Sequence, residues 1–302
     1  MTVVRGLISL LVFPGALFAL PAGWFMMWLQ RKINARAQGR IGPPFFQPFF
    51  DFVKLLAKEP VVRPRLQGFL MTVLPLAAVA STLGAIALLP VFPKAGGFSG
   101  DLVLLVSLIE VGPLCAVLGG FVSRSLYGGI GASREAVLTL AYNVPFLIAL
   151  FALVASAGSF SLAGVALAAA WPVRVLALIA LVACIPVKLH LNPFSAASAE
   201  QEIYAGSTTE YDGPRLALWE LAHALEWVAL TGLVASLAFP VADAAWPVRV
   251  VVFVAVSVAL VVVLSFAAAS TARLKLAQTA RWFLLCGSGI ALSALVVAFV
   301  RL

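Results

Sequence analysis

Apolar stretches of membrane length constrain the fold of this chain more than any other feature of its sequence. Eight such stretches occur, at roughly 7–29, 69–92, 101–122, 137–157, 171–190, 216–239, 247–270 and 281–300. Each has about the twenty residues that a helix needs to cross a bilayer. Charged residues make up 11% of the chain, against about 25% in soluble domains. The sequence therefore predicts an all-α polytopic membrane protein, with residues 1–302 as one transmembrane domain of eight helices in the lipid bilayer.

The basic residues are divided unequally between the two sides of the predicted bundle. Of the 20 Lys and Arg residues, 15 fall on the side with the connections 30–68, 123–136 and 191–215, and 5 on the other. Since short loops rich in Lys and Arg face the cytoplasm, we expect these connections to be cytoplasmic and both termini to lie outside. The net charge of +8 thus reflects topology and does not indicate a nucleic-acid partner.

The first cytoplasmic loop contains a segment that is too short and too charged to span the bilayer. Between Phe45 and Glu59, aromatic residues alternate with Asp51, Lys54 and Lys58. This pattern is typical of an amphipathic helix that lies in the membrane interface. An ordinary connecting helix is the alternative.

Half of the 12 acidic residues are concentrated in one short region, Glu200 to Glu226. Acids are costly in or near a bilayer, so such a cluster suggests a path for protons or ions. The alternative is a solvated loop followed by a helix with a few polar positions. The polar part of the region contains Glu200, Glu202, Glu210 and Asp212.

The apolar part of the same region carries three titratable residues, Glu220, His223 and Glu226, at intervals of three. Successive members of this row are neighbours on a helix. Carboxylates and an imidazole in such a row are suitable groups for proton transfer. Their spacing does not match a metal site, because Glu-x-x-His occurs only once.

Two further acids are candidates for the same path. Glu110 lies near the middle of the third apolar stretch, where a carboxylate must be neutral, paired or hydrated. Pro113 frees the carbonyl of Ile109, which favours local water beside that acid. Glu135 is expected either to face the bundle interior or to be an ordinary helix-start acid.

No pattern in the sequence indicates a cofactor or a catalytic group. Cys115, Cys184 and Cys286 each stand alone in an apolar stretch, so no metal or iron–sulfur motif is present. We expect no catalytic residue, no bound metal and no cofactor in this chain.

Two long segments resemble the signatures of the complex I subunit 1 family. The segment from Gln30 to Pro43 (QRKINARAQGRIGP) resembles its first signature, and the segment from Asn192 to Gly213 (NPFSAASAEQEIYAGSTTEYDG) resembles its second. The order, separation and eight apolar stretches extend the resemblance over essentially the whole chain. Four positions depart from the pattern: Gln30, Asn143 and Ser198 each replace a Glu, and Ser195 replaces an Asp.

Within this family, the segment from Gly42 to Glu59 (GPPFFQPFFDFVKLLAKE) looks like the branch found in energy-converting, group 4 [NiFe]-hydrogenases and formate hydrogenlyase-type complexes. The resemblance implies a membrane-anchor subunit in a prokaryotic cytoplasmic membrane that couples redox energy to movement of protons or sodium ions. It also implies that the nickel–iron site and the iron–sulfur clusters lie in partner subunits. These would be hydrogenase-like large and small subunits, a ferredoxin-like iron–sulfur subunit and an antiporter-like membrane subunit.

The two signature loops combine charged, aromatic and turn residues on one face, so we expect them to bind the soluble partners through Arg36, Arg40, Asp51, Lys54 and Tyr211. Two alternative functions stay open at this point. One is a quinone-site subunit of a complex I-type NADH:quinone oxidoreductase, with a cavity behind Arg36, Arg40 and the loop from Glu200 to Asp212. The other is a stand-alone transporter, although the inverted repeats common in transporters are not evident.

Overall fold

The computed structural model describes residues 15–90, 99–239 and 245–300, and every regular element within these ranges is a helix. Seven of the described helices are long and apolar enough to cross a membrane. The expected all-α membrane protein is therefore confirmed. The helices are α1 (Ala16–Ala37), α2 (Gln47–Leu56), α3 (Arg65–Leu88), α4 (Asp101–Val122), α5 (Leu126–Ala157), α6 (Leu162–Ala168), α7 (Trp171–Lys188), α8 (Glu200–Ile203), α9 (Gly213–Ala238), α10 (Trp246–Ser270) and α11 (Leu276–Val300).

The observed helices differ from the predicted spans at two places. The expected span 7–29 is described only from residue 15 onward; α1 begins at Ala16 and continues to Ala37, so part of the expected span lies outside the described residues. The connection 123–136 was predicted as a long loop, which is wrong. Helix α5 already begins at Leu126. Its first turns are rich in small residues, and Gly128 and Ala132 pack closely against Gly120 of α4. This close contact allows the segment to be helical without long apolar side chains.

Helix α9 lies at the centre of the bundle. It packs against α1, α2, α3, α4, α6, α7 and α10. Of the most apolar stretch of α9, 78% is buried inside the protein, whereas only 28% of the corresponding stretch of α10 is buried. The polar residues of α9 therefore face other helices rather than lipid.

A glycine allows the close contact between α1 and α9. A Cβ atom at Gly23 would collide with the backbone carbonyl of Ala224, so only glycine lets the two backbones approach this closely. This contact positions the second half of α1 beside the polar residues of α9.

Helix α2 in the first loop presents an aromatic face outside the bundle. Phe46, Phe49 and Phe50 are exposed, while Trp24 of α1 contacts Phe49 and Phe52 at centroid distances of 5.4 and 5.5 Å. The predicted short helix is thus present, and its exposed apolar face is of the kind that lies in a membrane interface.

Candidate functional site: a charged cavity inside the bundle

A cavity of about 430 Å³ lies between α1, α4, α5, α7, α9 and the segment 197–208. Ionisable side chains are unusually frequent in its wall for a site within a helical membrane protein, where such residues are rare and are usually functional. The ionisable residues that line it are Arg31, Glu135, Lys188, His190, Glu220, His223 and Glu226.

Helix α9 contributes three of these residues. Glu220, His223 and Glu226 all line the cavity, as expected for positions three residues apart on one helical face. His223 Nδ1 lies 3.7 Å from Glu226 Oε2, a distance that suits an ion pair or a bridging water better than a direct hydrogen bond. The predicted row on α9 is therefore present in one cavity.

A glycine of α4 makes room for Glu226. A Cβ at Gly112 would lie 2.7 Å from Glu226 Oε1, so any larger residue would displace this carboxylate. Gly112 and Pro113 both line the cavity. The α4 segment beside Glu226 thus has the two features, a missing side chain and a missing N–H, that leave polar backbone accessible.

His190 is a cavity residue that the sequence reasoning missed. It follows the end of α7 with a positive φ of 53°, and the N–H of Leu191 closes the helix end by donating to the carbonyl of Pro186 at 2.7 Å. A non-glycine residue in this conformation carries strain, and such positions often belong to functional sites. His190 Nδ1 lies 3.7 Å from Glu135 Oε2, and its ring centroid is 6.5 Å from that of His223.

Lys188 is a second cavity residue that the sequence did not single out, because it is one of the 15 basic residues assigned to the cytoplasmic side. The structure buries it: only 5% of the residue is exposed. Its Nζ forms an ion pair with Glu110 Oε1 and lies over the ring of Tyr142 at 4.4 Å. A sequence signal was present, since Lys188 stands between apolar residues on both sides.

Glu110 is held by two partners from different helices. Besides the ion pair with Lys188 of α7, its Oε2 accepts a hydrogen bond of 3.0 Å from Asn143 Nδ2 of α5. Asn143 is the position where the family pattern has a Glu. The amide thus donates to Glu110, where a second carboxylate would repel it.

A second, much smaller void of about 10 Å³ lies against Ile109 and Pro113. Lys188, Glu226 and Thr82 also line it. A void of this size admits about one water molecule, and the lining offers polar partners for it. Pro113, which cannot donate to the Ile109 carbonyl, borders the void, but Glu110, beside which the sequence predicted water, does not line it.

The position of Glu135 decides between the two expectations for this residue. Helix α5 begins at Leu126, so Glu135 is well inside the helix, and the helix-start interpretation is wrong. Glu135 is 4% exposed and lines the cavity. It faces the bundle interior, which was the other expectation.

The acids of the polar segment occupy a different environment at the surface. Glu202 accepts hydrogen bonds from Arg134 at 2.6 Å and from Arg273 at 3.3 Å. The hydrogen bond from Arg134 is the main cause that lowers the pKa of Glu202. Glu210 pairs with Arg63 at 3.4 Å.

Asp212 binds the segment between α2 and α3 directly. Its Oδ2 accepts a 2.5 Å hydrogen bond from the N–H of Val61, and its Oδ1 lies 3.7 Å from Arg215. None of Glu202, Glu210 and Asp212 is among the residues that line the cavity. The side chain of Glu200 lies outside the described part of the structure.

The residues expected to contact partner subunits divide into two groups. Arg36, Arg40 and Lys54 are exposed, and Asp51 is half-buried with its carboxylate bound by Arg31 at 3.3 Å and Gln47 at 2.7 Å.

Tyr211 does not belong to this surface, which corrects the expectation from the sequence. It is 4% exposed and packs edge-on against Trp219 at 5.6 Å. Its hydroxyl occupies the space that a side chain at Gly119 would need. Burial raises the pKa of Tyr211 to about 12.

No metal-binding cluster is formed by the residues that the structure describes. Among them, no three His, Cys, Asp or Glu residues lie close enough together to hold an ion.

The comparison with known families agrees with this architecture. The sequence profile of the family described as NADH dehydrogenase matches residues 8–299. This chain belongs to the complex I subunit 1 family.

Two known proteins are similar to this chain over most of its length. Hydrogenase-4 component C of Escherichia coli (strain K12) is 32% identical over 221 residues, covering 70% of this chain and 69% of the relative. A chain of the membrane-bound sulfane sulfur reductase, an archaeal respiratory membrane complex, is similar in structure with a TM-score of 0.87 at 25% identity. That similarity covers 98% of this chain and 99% of the other.

Proposed function

We propose that this chain is the membrane-anchor and ion-coupling subunit of an energy-converting, hydrogenase-like redox complex. The relative named hydrogenase-4 component C and the chain from a respiratory membrane complex support this role. In the proposal, soluble large, small and ferredoxin-like iron–sulfur subunits carry the nickel–iron site and the clusters. An antiporter-like membrane subunit is a further partner, and the complex resides in a prokaryotic cytoplasmic membrane.

The observation that carries the coupling role is a continuous series of titratable groups inside the bundle. Glu135 neighbours His190, His190 neighbours His223, and His223 neighbours Glu226.

The water-sized void continues the series toward α4. Glu226 and Lys188 line this void together, and Lys188 pairs with Glu110. If these groups only stabilised the fold, one buried ion pair would be sufficient. A series that opens into a cavity is better explained by transfer of protons, since His and carboxyl groups exchange them readily.

The eighth membrane span and the orientation complete the proposal. In the proposal, the span 7–29 predicted from the sequence is the eighth, and the basic loops face the cytoplasm. Lys188 is buried and is therefore not a loop charge. The remaining basic residues still favour the cytoplasm for the same loops. A cysteine placed at the exposed residue Gln201 should react with an impermeant thiol reagent in inside-out vesicles. Reaction from the periplasmic side of intact cells would reverse the orientation.

The cavity argues against the main alternative, a quinone site. Quinone rings and tails require a mostly apolar pocket, and this wall carries seven ionisable side chains. Arg36 and Arg40, behind which the alternative places the quinone, are exposed and do not line the cavity, although Ala205, Ser207 and Thr208 of the second signature loop do. A bound quinone in the purified complex, or sensitivity to quinone-site inhibitors, would favour the alternative.

Neutral, isosteric replacements of Glu220, which lines the charged cavity, and of Glu110, which pairs with the cavity residue Lys188, test the coupling role. In Glu110→Gln and Glu220→Gln the exchangeable carboxyl proton is lost while the shape is kept. We expect ion pumping in sealed vesicles to fall severalfold, while electron transfer through the partner subunits in detergent largely survives. Glu59→Gln, at an exposed position, is the matched control and should pump normally. Full pumping in both cavity variants would refute the coupling role.

The docking role has a separate test. Reversal of Arg36 and Arg40 to Glu should release the soluble module from the membrane, because like charges at a polar interface cost several kcal/mol. The amount of module that copurifies with the membrane subunit measures this effect. A doubly reversed complex that purifies intact would place the interface elsewhere.

A further inference from the structure

A second polar cavity of about 460 Å³ lies beside the charged cavity, between the end of α1, the end of α10 and the segment 190–201. Its outer rim includes the exposed residues Asn192, Gln201 and Thr271. It is therefore open to the protein surface next to the end of α10, and we call it the lateral cavity.

The lining of this lateral cavity is suited to water rather than to a charged ligand. Most polar groups in the wall are neutral amides and hydroxyls, such as those of Asn34, Ser195 and Thr271. The one guanidinium, Arg273, is neutralised by Glu202 at 3.3 Å. Polar cavities of this size are hydrated, since water satisfies groups that the protein leaves open.

The two cavities share part of their walls. Gln30, His190, Leu191 and Ser198 line both. His190 stands at this shared wall, with its Nδ1 3.7 Å from Glu135 Oε2 in the charged cavity. A group that touches both spaces and can change its protonation is suited to pass a proton between them.

We propose that the lateral cavity is a water-filled side entrance through which protons reach His190 and then Glu135. A proton taken up by the imidazole from cavity water leaves from Nδ1 to the Glu135 carboxylate, which restores the neutral imidazole. This inference rests on the proposed function: a soluble module docked on Arg36, Arg40 and Lys54 covers the charged cavity, while the rim of the lateral cavity at Gln201 and Thr271 stays open. Water in the lateral cavity then continues to supply protons to the charged cavity.

An accessibility experiment on the assembled complex tests the entrance. The reporter is Ser198→Cys, at the shared wall, in a background with the exposed thiol removed by Cys286→Ser; Cys115 and Cys184 are buried and stay in place. The probe is the water-soluble cation 2-(trimethylammonium)ethyl methanethiosulfonate, applied to inside-out vesicles. We expect the reporter to react while the soluble module is bound.

A plug in the lateral cavity provides the second half of the experiment. Ala268 of α10 lines the cavity and is buried, so Ala268→Phe should fill it and slow labelling of the reporter severalfold. Val263→Phe, at an exposed position of the same helix, is the matched control and should leave the labelling rate unchanged. If Ala268→Phe does not assemble, Ala272→Trp at the exposed rim replaces it.

The outcomes separate the entrance from the coupling role. Loss of labelling when the module binds, or an unchanged rate with the plug, overturns the side entrance. Slowed labelling with unchanged pumping shows water access without proton supply, which also overturns it. In either case, lost pumping in Glu220→Gln would still support the proposed function. Slowed labelling together with reduced pumping supports the side entrance.

Discussion

The acids inside the bundle and the acids of the second signature loop have different partners. Glu202, Glu210 and Asp212 lie near arginines. In contrast, Glu110, Glu135 and Glu226 lie near Lys188, His190 and His223.

The choice of partner has a chemical consequence. Arginine stays protonated at every physiological pH, so a carboxylate beside it is fixed as an anion. Histidine, and lysine in a buried site, can release a proton. The loop acids are therefore suited to joining the signature loops to each other, and the cavity acids are suited to exchanging protons.

The largest effect should come from breaking the most buried pair of the cavity. Lys188→Met leaves Glu110 without its cation, and loss of one member of a buried ion pair costs about 3–5 kcal/mol. Unfolding of the purified subunit in a denaturing-detergent titration measures this. The double variant Glu110→Gln/Lys188→Met should regain much of the loss. A single variant as stable as the native chain would mean that water already compensates Glu110.

A smaller change in stability but a clear change in function is expected for Gly112→Ala. The added Cβ would push the Glu226 carboxylate from its position. Overpacking costs about 1–3 kcal/mol, which the helix propensity of Ala offsets by about 1 kcal/mol. Pumping should therefore fall severalfold while the subunit stays folded. Gly129→Ala, where a Cβ meets open space, is the control, and equal pumping in both variants would contradict the role of Glu226.

Loss of a loop acid should affect local order and leave pumping intact. Glu202→Gln removes the anion that joins Arg134 of α5 to Arg273 after α10. Hydrogen exchange in the segment 199–211 should become faster, and proton pumping should be close to native. Pumping lost to the same degree as in Glu220→Gln would remove the distinction between the two groups of acids.

The same contact has a defined pH dependence. Because Arg134 lowers the pKa of Glu202 in the folded protein, the contact stabilises the fold above the ordinary carboxyl pKa of about 4.3. It is lost as the pH falls through the lower, folded value. Protection of the amides in 199–211, corrected for the pH dependence of intrinsic exchange, should therefore fall on acidification of the native protein and should be less sensitive to pH in Glu202→Gln.

The smallest effect concerns Tyr211, which is buried and so does not belong to the docking surface. Burial raises the pKa of Tyr211 to about 12, so its contribution to stability is complete below the ordinary value of about 10 and is lost as the pH rises through about 12. The difference in phenolate absorbance between the native protein and Tyr211→Phe should titrate near 12. A midpoint near 10 would mean that the Tyr211 hydroxyl is accessible to solvent.

The sequence by itself determined the class of fold and the family. Apolar stretches of membrane length predict transmembrane helices, because a backbone in lipid must satisfy its own hydrogen bonds. The row at Glu220, His223 and Glu226 was also readable, since the spacing along one helix fixes which residues share a face. The amphipathic helix after the first signature followed from the same kind of local pattern.

Only the tertiary structure decided which charges belong together. Lys188 was counted with the loop residues and His190 was passed over, because neither spacing nor composition shows that the end of α7 turns into a cavity opposite α4 and α9. Tyr211 was assigned to the surface for the same reason. Pairing between Glu110 and Lys188 joins residues that are far apart in the chain, and such contacts depend on how the helices pack, which no local pattern records.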